Sequence, residues 1–234
     1  YYSNTISKNN LMTRQSIIGE DIERIALGLG EDAKKLSGKT ILMSGGAGFL
    51  GKYFQGTFAY LNKHVLEKPC KVIALDNYIT SNSENSDFNF VDGVNIVQTR
   101  ADVTKPLDIS EKIDFIIHAA GLASPVHYRK YPLETIDSAI MGARNLLDLA
   151  RKNNVESFLL FSSSEIYGDP DSKAVPTPET YHGHVSSIGP RACYDESKRL
   201  AETISVVYHE QFGVPVKIVR PFNVYGPGMN AKDY

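Results

Sequence analysis

Short apolar runs alternate with longer amphipathic stretches from residue 39 onward. Most of the runs are rich in Ile, Val, Leu or Phe without strict alternation, which is typical of strands buried on both faces. The runs are KTILMSG (39–45), KVIALD (71–76), VNIVQTR (94–100), DFIIHAAG (114–121), SFLLFSSS (157–164) and VPVKIVRPF (214–222). Helical patterns lie between several of them, at about 49–66, 133–152 and 194–212. This order predicts an α/β protein built on a doubly wound parallel sheet.

The first 38 residues have a different pattern. Residues 1–16 are polar and patternless, and we expect them to form an arm. An apolar stripe with spacings of four, three and four residues follows, formed by Ile18, Ile22, Ile25 and Leu29. Such a stripe predicts a short amphipathic helix. We therefore divide the chain into an arm with a short helix (1–38) and an α/β domain (39–234).

A glycine-rich turn follows the first apolar run, in the sequence SGGAGFLG (44–51). Gly45, Gly48 and Gly51 stand three residues apart where the predicted strand gives way to a helix. Glycine permits the tight turn, the close approach of backbone to a pyrophosphate, and the close packing of helix on strand. The free N–H groups and the positive dipole end of the new helix favour phosphate. The turn therefore predicts the dinucleotide site of a Rossmann fold.

Acidic residues stand at the end of the second predicted strand and shortly after the end of the third. Asp76 stands where such folds place a carboxylate on the adenosine ribose, and this carboxylate would repel a 2′-phosphate. NAD is therefore favoured over NADP, although Asp76 could instead cap a turn at the strand end. Asp102 is a similar candidate for the adenine, with Val103 as an apolar wall.

A tyrosine and a lysine stand four residues apart in RACYDESKRLAE (191–202). Tyr194 and Lys198 share one helix face, although a chance pair on an exposed helix is the simpler interpretation. A phenol with a pKa near 10 is a poor base, but a nearby ammonium and the positive nicotinamide favour phenolate. The phenolate can then take the proton of a sugar hydroxyl. Ser163, which follows the fifth run, would orient the reacting oxygen.

Composition excludes several classes of function. The net charge of −2 gives no electrostatic footprint for nucleic acid, and no apolar run approaches the length of a membrane span. Cys70 and Cys193 cannot make a disulfide framework, which fits a reducing, cytoplasmic location. His182 and His184 lack Cys or carboxylate partners at ligand spacing, so we expect no metal. His118 follows a buried run and is interpreted as a core residue.

Four further segments join GGAGFLG in resembling one family. They are LASPVHYRKYP (122–132), SSSEIYGDP (162–170), YHGHVSSIGPRACYDESKRLAE (181–202) and RPFNVYGPGM (220–229). Over about 39–234 the chain resembles the extended short-chain dehydrogenase/reductase family, the NAD-dependent nucleotide-sugar epimerases and dehydratases. It is most similar to the UDP-glucuronate decarboxylase group. The resemblance implies a homodimeric carboxy-lyase that converts UDP-glucuronate to UDP-xylose through a 4-keto intermediate, with NAD as cofactor.

The resemblance also implies roles for individual residues. Catalytic roles fall on Ser163, Glu165, Tyr194 and Lys198. Cofactor contacts are implied for Gly45, Gly48, Phe49, Leu50, Gly51, Asp76, Asn77, Asp102, Val103, Ala119, Ala120, Tyr194 and Lys198. Contacts with the nucleotide-sugar are implied for Ser124, Ser164, Arg191 and Asn223. Arg191 and Arg220 are candidates for the diphosphate, with structural ion pairs as the alternative.

The chain departs from the family pattern in three places, and these keep other functions open. Relatives usually carry Asn at the position of Ala139, and many 4,6-dehydratases carry Asp at the position of Ser164. Members of the family continue into a substrate-binding region, which in decarboxylases supplies an arginine near the sugar carboxylate. Because this sequence ends at Tyr234, we expect that region to be largely missing from it. The alternatives are a nucleotide-sugar 4,6-dehydratase or 4-epimerase and, from another class, a non-catalytic NAD-binding protein or an inactive truncated chain.

Overall fold

The computed structural model describes residues 17–80 and 95–230, so the predicted arm at 1–16 lies outside the described residues. Within these ranges a single parallel sheet has the order β3-β2-β1-β4-β5-β6. Its strands are β1 (Thr40–Ser44), β2 (Lys71–Asp76), β3 (Ile96–Arg100), β4 (Phe115–His118), β5 (Ser157–Phe161) and β6 (Val216–Val219). The predicted doubly wound parallel sheet is therefore confirmed.

Helices cover both faces of this sheet. They are α1 (residues 17–28), α2 (Phe49–His64), α3 (Pro125–Lys130), α4 (Pro132–Asn153) and α5 (Ala192–Phe212). The helical patterns in the sequence predicted all of them except α3, whose six residues are too few to show a helical period. Among the described residues, no helix combines the length and the apolar character needed to cross a membrane.

Two apolar layers hold the helices on the sheet. Alternate residues of β1 serve opposite layers, with Leu42 facing one cluster and Ile41 the other. The first cluster joins the sheet to α4 and α5, and Leu146 of α4 is fully buried there. The second cluster joins the sheet to α2, where Leu61 is fully buried. Because all strands are parallel, their carboxyl ends lie together at one edge of the sheet, and neither layer covers that edge.

The outer strands differ from the predicted two-sided burial. β1, β2 and β4 are buried almost throughout, as expected. In contrast, the last four residues of β3 are exposed, and β6 alternates between half-buried and exposed positions. The prediction is wrong for these two strands. They form the edges of the sheet, where few of their residues pack in the apolar layers that cover its faces.

The buried stripe of α1 also differs from the prediction. Ile18 and Ile22 are buried as expected, but the next buried residue is Ala26. Ile25 and Leu29 remain 44% and 39% exposed. A straight row at four-residue spacing therefore contacts α2, because the short helix lies against one partner and buries only that narrow face.

Candidate active site

Backbone contacts shape the glycine turn between β1 and α2. Gly45 has a φ of +76°, and a Cβ there would lie 2.7 Å from the Ala119 carbonyl carbon. A Cβ on Gly51 would run into the carbonyl oxygens of Gly45 and Gly46. A Cβ on Gly46, which sequence reasoning did not single out, would lie 2.8 Å from that of Ala74. The turn therefore has the close packing that a dinucleotide cradle requires.

Asp76 holds this turn in place. Its Oδ2 accepts a hydrogen bond from the Ala47 N–H at 2.9 Å, and its Oδ1 accepts one from the Tyr78 N–H at 2.8 Å. The strand-end capping considered as the alternative interpretation is thus present. Each carboxylate oxygen keeps a second lone pair, so a contact with the ribose stays open as a prediction.

A cleft of about 340 Å³ opens at the carboxyl ends of β1, β2 and β4. Its wall includes most of the predicted cofactor residues, namely Gly45, Gly48, Asp76, Asn77, Asp102, Val103, Ala119 and Ala120. Phe49, Leu50 and Gly51 do not line the cleft and instead form the first turn of α2. The cleft and its glycine cradle fit a dinucleotide. The individual contacts remain predictions.

Sequence reasoning missed part of the cleft wall. The missed residues are Leu75, Ile79, Thr80, Ala101, Thr104, Lys105, Gly121, Leu122, Glu134, Asp137 and Ser138. Gly121 ends the predicted run 114–121 and Leu122 follows it, so both could have been included on that ground. Glu134 and Asp137 belong to α4, and only the crossing of α4 over the sheet brings them to the cleft.

The predicted tyrosine–lysine pair does not line this cleft but lies next to two of its lining residues, Gly121 and Leu122. Lys198 is 7% exposed, and its Nζ donates a hydrogen bond to the Phe161 carbonyl at 2.7 Å. The same Nζ would lie 3.4 Å from a Cβ on Gly121, which lines the cleft, and it lies 5.8 Å from the centroid of the Tyr194 ring. Tyr194 packs with Leu122 in one buried cluster. The structure thus brings the pair together beside the dinucleotide site.

Burial changes the acidity of two groups near this pair. Burial lowers the pKa of Lys198 to about 8, and the Glu202 carboxylate partly opposes this effect. Burial, assisted by the Lys198 charge, lowers the pKa of His118 to about 3. The neutral His118 ring lies 2.8 Å, through Nδ1, from the Ser44 hydroxyl. His118 is therefore a core residue, as the sequence indicated, and not an acid at neutral pH.

Tyr128 of α3 supports the Tyr194 ring. The two rings are stacked with centroids 5.2 Å apart and planes 18° apart, and both residues are buried. Ser124, a predicted substrate residue, begins α3 by accepting a hydrogen bond from the Val126 N–H. The sequence carried no local signal for the stack because 66 positions separate the two tyrosines along the chain.

The segment after β5 carries the predicted catalytic carboxylate. The Ser163 hydroxyl accepts a hydrogen bond from the Glu165 N–H at 3.2 Å and begins the 3₁₀ turn Ser164–Tyr167. Glu165 forms an ion pair with Arg191, whose Nε also lies 3.7 Å from a carboxylate oxygen of Asp195. The structure therefore joins the predicted catalytic Glu165 to the predicted substrate residue Arg191.

Arg220 has a structural role instead of lying free for a diphosphate. Its guanidinium forms two parallel hydrogen bonds with the Glu202 carboxylate, at 3.0 and 2.8 Å. It also donates to the Tyr167 hydroxyl at 2.9 Å and to the Glu179 carbonyl at 2.8 Å. These bonds use the donor fork of the guanidinium, so the ion-pair alternative from the sequence is the one observed.

The remaining candidates lie outside the cleft wall. Asn223 is on an exposed segment after β6, and Ala139 is buried in α4 without reaching the cleft. His184 lies 3.3 Å, through Nδ1, from the Tyr181 hydroxyl. In residues 17–80 and 95–230, no three His, Cys, Asp or Glu side chains are grouped to hold a metal ion.

The glycine cradle, the strand-end cleft and the buried Tyr–Lys pair together define an NAD-binding enzyme domain of the short-chain dehydrogenase type. The model of the NAD dependent epimerase/dehydratase family matches residues 41–234, and the chain belongs to this family. NAD is accordingly its cofactor.

The similar proteins include curated enzymes with specific names and solved structures. The chain is 42% identical to UDP-glucuronic acid decarboxylase 3 of Arabidopsis thaliana, over 82% of this chain and 53% of that protein. It is 39% identical to UDP-glucuronic acid decarboxylase 4 of the same plant, over 100% of this chain and 48% of that protein. It thus spans about half the length of the curated relatives it matches. A solved epimerase from Methanothermobacter thermautotrophicus is 26% identical with a TM-score of 0.68, over 85% of this chain and 55% of that one.

We predict that the intact protein binds NAD at least about tenfold more tightly than NADP, because a 2′-phosphate would meet the Asp76 carboxylate. In Asp76→Asn the preference should shrink through a gain in NADP affinity. Calorimetric titration of both proteins with both dinucleotides measures this. Equal affinity of the unchanged protein for NAD and NADP would remove Asp76 from the ribose site.

Gly51→Ala should weaken NAD binding about tenfold or more, since its Cβ collides with the backbone of the glycine turn. Gly28→Ala is the matched control because a Cβ on Gly28, in α1, meets nothing within 4 Å. The dissociation constant for NAD is compared in the two variants. An unchanged constant in Gly51→Ala would contradict the role of the turn.

Lys198→Met should flatten the pH dependence of stability. The unfolded lysine has a pKa near 10.4, so the unfolded chain binds more protons than the folded one between about pH 8 and 10. Lys198 therefore makes the unfolding free energy rise with pH across that window, by roughly 3 kcal/mol in total. Urea unfolding at pH 7 to 10 tests this, with the exposed Lys217→Met as control. The same slope in both variants would be inconsistent with a buried ammonium at 198.

Proposed function

We propose that the chain is the NAD-binding, catalytic part of a carboxy-lyase that converts UDP-glucuronate to UDP-xylose. The observation that carries the proposal is the meeting of Lys198 and Tyr194 with the cleft at Gly121 and Leu122. The reaction needs an acid/base beside the reacting carbon at the dinucleotide site, and the position of this pair next to the cleft supports that role. Identities of 42% and 39% to proteins named UDP-glucuronic acid decarboxylase favour decarboxylation over the other reactions of the family.

In this proposal Tyr194 takes the proton of the sugar C4 hydroxyl and later returns it. The nearby Lys198 ammonium favours the phenolate form of Tyr194, and the buried surroundings strengthen its field. The Tyr128 stack keeps the ring in one orientation. Ser163 orients the C4 oxygen. NAD, when bound in the cleft, supplies the oxidation at C4 and the later reduction.

A ketone at C4 lies β to the sugar carboxylate, so carbon dioxide can leave while its bonding electrons move into the ketone. Arg191 binds a substrate anion in place of Glu165, since a guanidinium matches carboxylate or phosphate oxygens equally well. Glu165, no longer paired with Arg191, then takes a proton from solvent and passes it to C5, which needs one in place of the lost carboxylate. Ser124, Ser164 and Asn223 remain the proposed contacts with the rest of the nucleotide-sugar.

Other reactions differ in what they require at the same site. A 4,6-dehydratase must protonate the departing C6 oxygen, and Ser164 is a poorer acid than the Asp that many dehydratases carry there. A 4-epimerase needs the Tyr–Lys pair but has no evident use for Glu165. An NAD-binding protein without catalysis would keep the cleft but need none of these groups. One product assay separates these possibilities.

The assay incubates the intact protein and NAD with UDP-glucuronate, UDP-glucose and GDP-mannose, separates the products by chromatography and records their masses. Loss of carbon dioxide from UDP-glucuronate is the expected result. Loss of water from either other sugar would indicate a dehydratase, and a new isomer of unchanged mass would indicate an epimerase. No reaction with any substrate would leave the non-catalytic alternative.

A reducing, cytoplasmic setting is part of the same proposal. Cys70 is buried, Cys193 is half-buried, and both are free. Burial raises the pKa of the Cys70 thiol to about 11, so this thiol stays protonated. Neither cysteine forms a cross-link that would need an oxidising compartment.

Tyr194→Phe should lower turnover by 10²–10⁴-fold, since it removes the acid/base. NAD affinity and thermal stability should change little, because the phenyl ring can keep the stack on Tyr128. Tyr208→Phe is the matched control on the same helix, where the lost hydroxyl bonds Asp148 outside the site. Near-normal turnover in Tyr194→Phe would mean that another group is the base, and joint loss of NAD binding and stability would make Tyr194 structural.

We also propose a homodimer formed through α4 and α5. These helices pack side by side, and their outer faces leave Met141 and Leu200 45% and 43% exposed. Leu200→Glu should produce a monomer at micromolar concentration, since it places a charge in an apolar interface. Ile25→Glu, at an α1 position that is 44% exposed, should leave the dimer intact. Sedimentation of the unchanged intact protein as a monomer would refute the dimer.

A further inference from the structure

Tyr53 of α2 reaches the segment that follows β6. Its hydroxyl donates a hydrogen bond to the Pro227 carbonyl at 3.0 Å. Its ring lies edge-on to Phe49, with centroids 5.5 Å apart and planes 82° apart. Phe49 in turn contacts the same segment, because a Cβ on Gly226 would lie 3.5 Å from its ring. The start of α2 and residues 226–227 therefore form one contact.

α1 covers Tyr53 from another side. Ile18 and Ile22 are buried against Tyr53 and Tyr60. A Cβ on Gly56 would run into the Ile22 side chain, so α1 lies very close to α2. α1 precedes residues 41–234, which the family model matches. α1 therefore lies outside the region that the family model matches, and it packs against Tyr53 and supports it.

Residues 221–227 are held at their two ends and exposed between them. At one end the Ser164 N–H donates to the Pro221 carbonyl at 2.9 Å, and at the other end is the bond from Tyr53. Between these points Phe222 and Tyr225 are 66% and 87% exposed, and the proposed substrate contact Asn223 is exposed as well. The Phe222 ring also lies 6.4 Å, between centroids, from the Tyr167 ring. The position of Asn223 therefore depends on contacts on both sides of it, of which the bond from Tyr53 is one.

We propose that Tyr53, held by α1, is a positioning residue that fixes the segment 221–227 and so presents Asn223 to the substrate. The link to substrate rests on the nucleotide-sugar function proposed above, whereas the tie to the segment does not. Without the Tyr53 hydroxyl the segment samples more conformations, and substrate binding must order it again. A net hydrogen bond is worth about 1 kcal/mol, which corresponds to roughly a fivefold effect on an equilibrium.

The experiment compares Tyr53→Phe with Tyr60→Phe in the intact protein. Tyr60 lies on the same helix and contacts the same α1, but its hydroxyl bonds Glu23 at 2.9 Å, away from the segment. Chymotrypsin, whose apolar pocket accepts aromatic side chains, is added to the NAD-bound protein, and cleavage after Phe222 and Tyr225 is followed by mass. In Tyr53→Phe this cleavage should be about fivefold faster, since proteolysis follows local opening. In Tyr60→Phe it should be unchanged.

Steady-state kinetics supply the second readout. In Tyr53→Phe the KM for UDP-glucuronate should rise about fivefold, while kcat and the dissociation constant for NAD stay close to those of the unchanged protein. Ile22→Ala, which loosens α1 behind Tyr53, should shift cleavage and KM in the same direction by a smaller factor.

The two readouts separate the possible failures. Unchanged cleavage in Tyr53→Phe, or equal acceleration in Tyr60→Phe, overturns the positioning role whatever the substrate is. Faster cleavage with an unchanged KM overturns the link to substrate. If the unchanged protein has no activity on UDP-glucuronate, the proposed function fails, and the cleavage comparison alone still supports or overturns the tie between Tyr53 and the segment.

Discussion

The buried ammonium of Lys198 joins the parts of the molecule that the proposed chemistry needs. It donates to the Phe161 carbonyl at the end of β5, lies beside Gly121 after β4, and shares a helix face with Tyr194. A charge can stay inside a protein only where polar partners replace the water it has lost. The Phe161 carbonyl is such a partner, yet burial still lowers the pKa of Lys198, because one carbonyl replaces only part of the lost water. The fold thus keeps a locally unfavourable charge at the place where the proposed mechanism requires an activated phenol.

The position of the cleft follows from the order of the strands. The chain runs outward from β1 to β3 on one side and from β4 to β6 on the other, so the connections separate between β1 and β4. In open α/β sheets a ligand crevice forms at this point. The glycine turn fills the base of the crevice with backbone, because Gly45 touches Ala119 and Asp76 holds the Ala47 N–H. Backbone contacts therefore shape the cofactor end of the site, whereas packed side chains shape the proposed catalytic end.

Local patterns in the sequence were enough for much of this picture. Apolar runs, helical periods and the glycines of 44–51 depend on neighbours close in the chain, so they predicted the strands, four of the helices and the cofactor turn. The spacing of Tyr194 and Lys198 predicted that their side chains share one face, since an α-helix repeats every 3.6 residues. The same patterns misjudged the edge strands and half of the α1 stripe, because periodicity indicates that a face is apolar without indicating what covers it.

The tertiary structure decided which residues distant in the chain become partners in and around the site. Arg220 could have met a diphosphate or a carboxylate, and only the packing of α5 against β6 gave it Glu202. Tyr128 stacks on Tyr194 because α3 lies beside the start of α5, and nothing near Tyr128 in the sequence indicates that contact. Glu134 likewise reaches the cleft only through the crossing of α4 over the sheet. Residue type and spacing determine what a side chain can do, but a partner distant in the chain is chosen by the relative placement of whole helices and strands, which depends on burying both faces of the sheet at once.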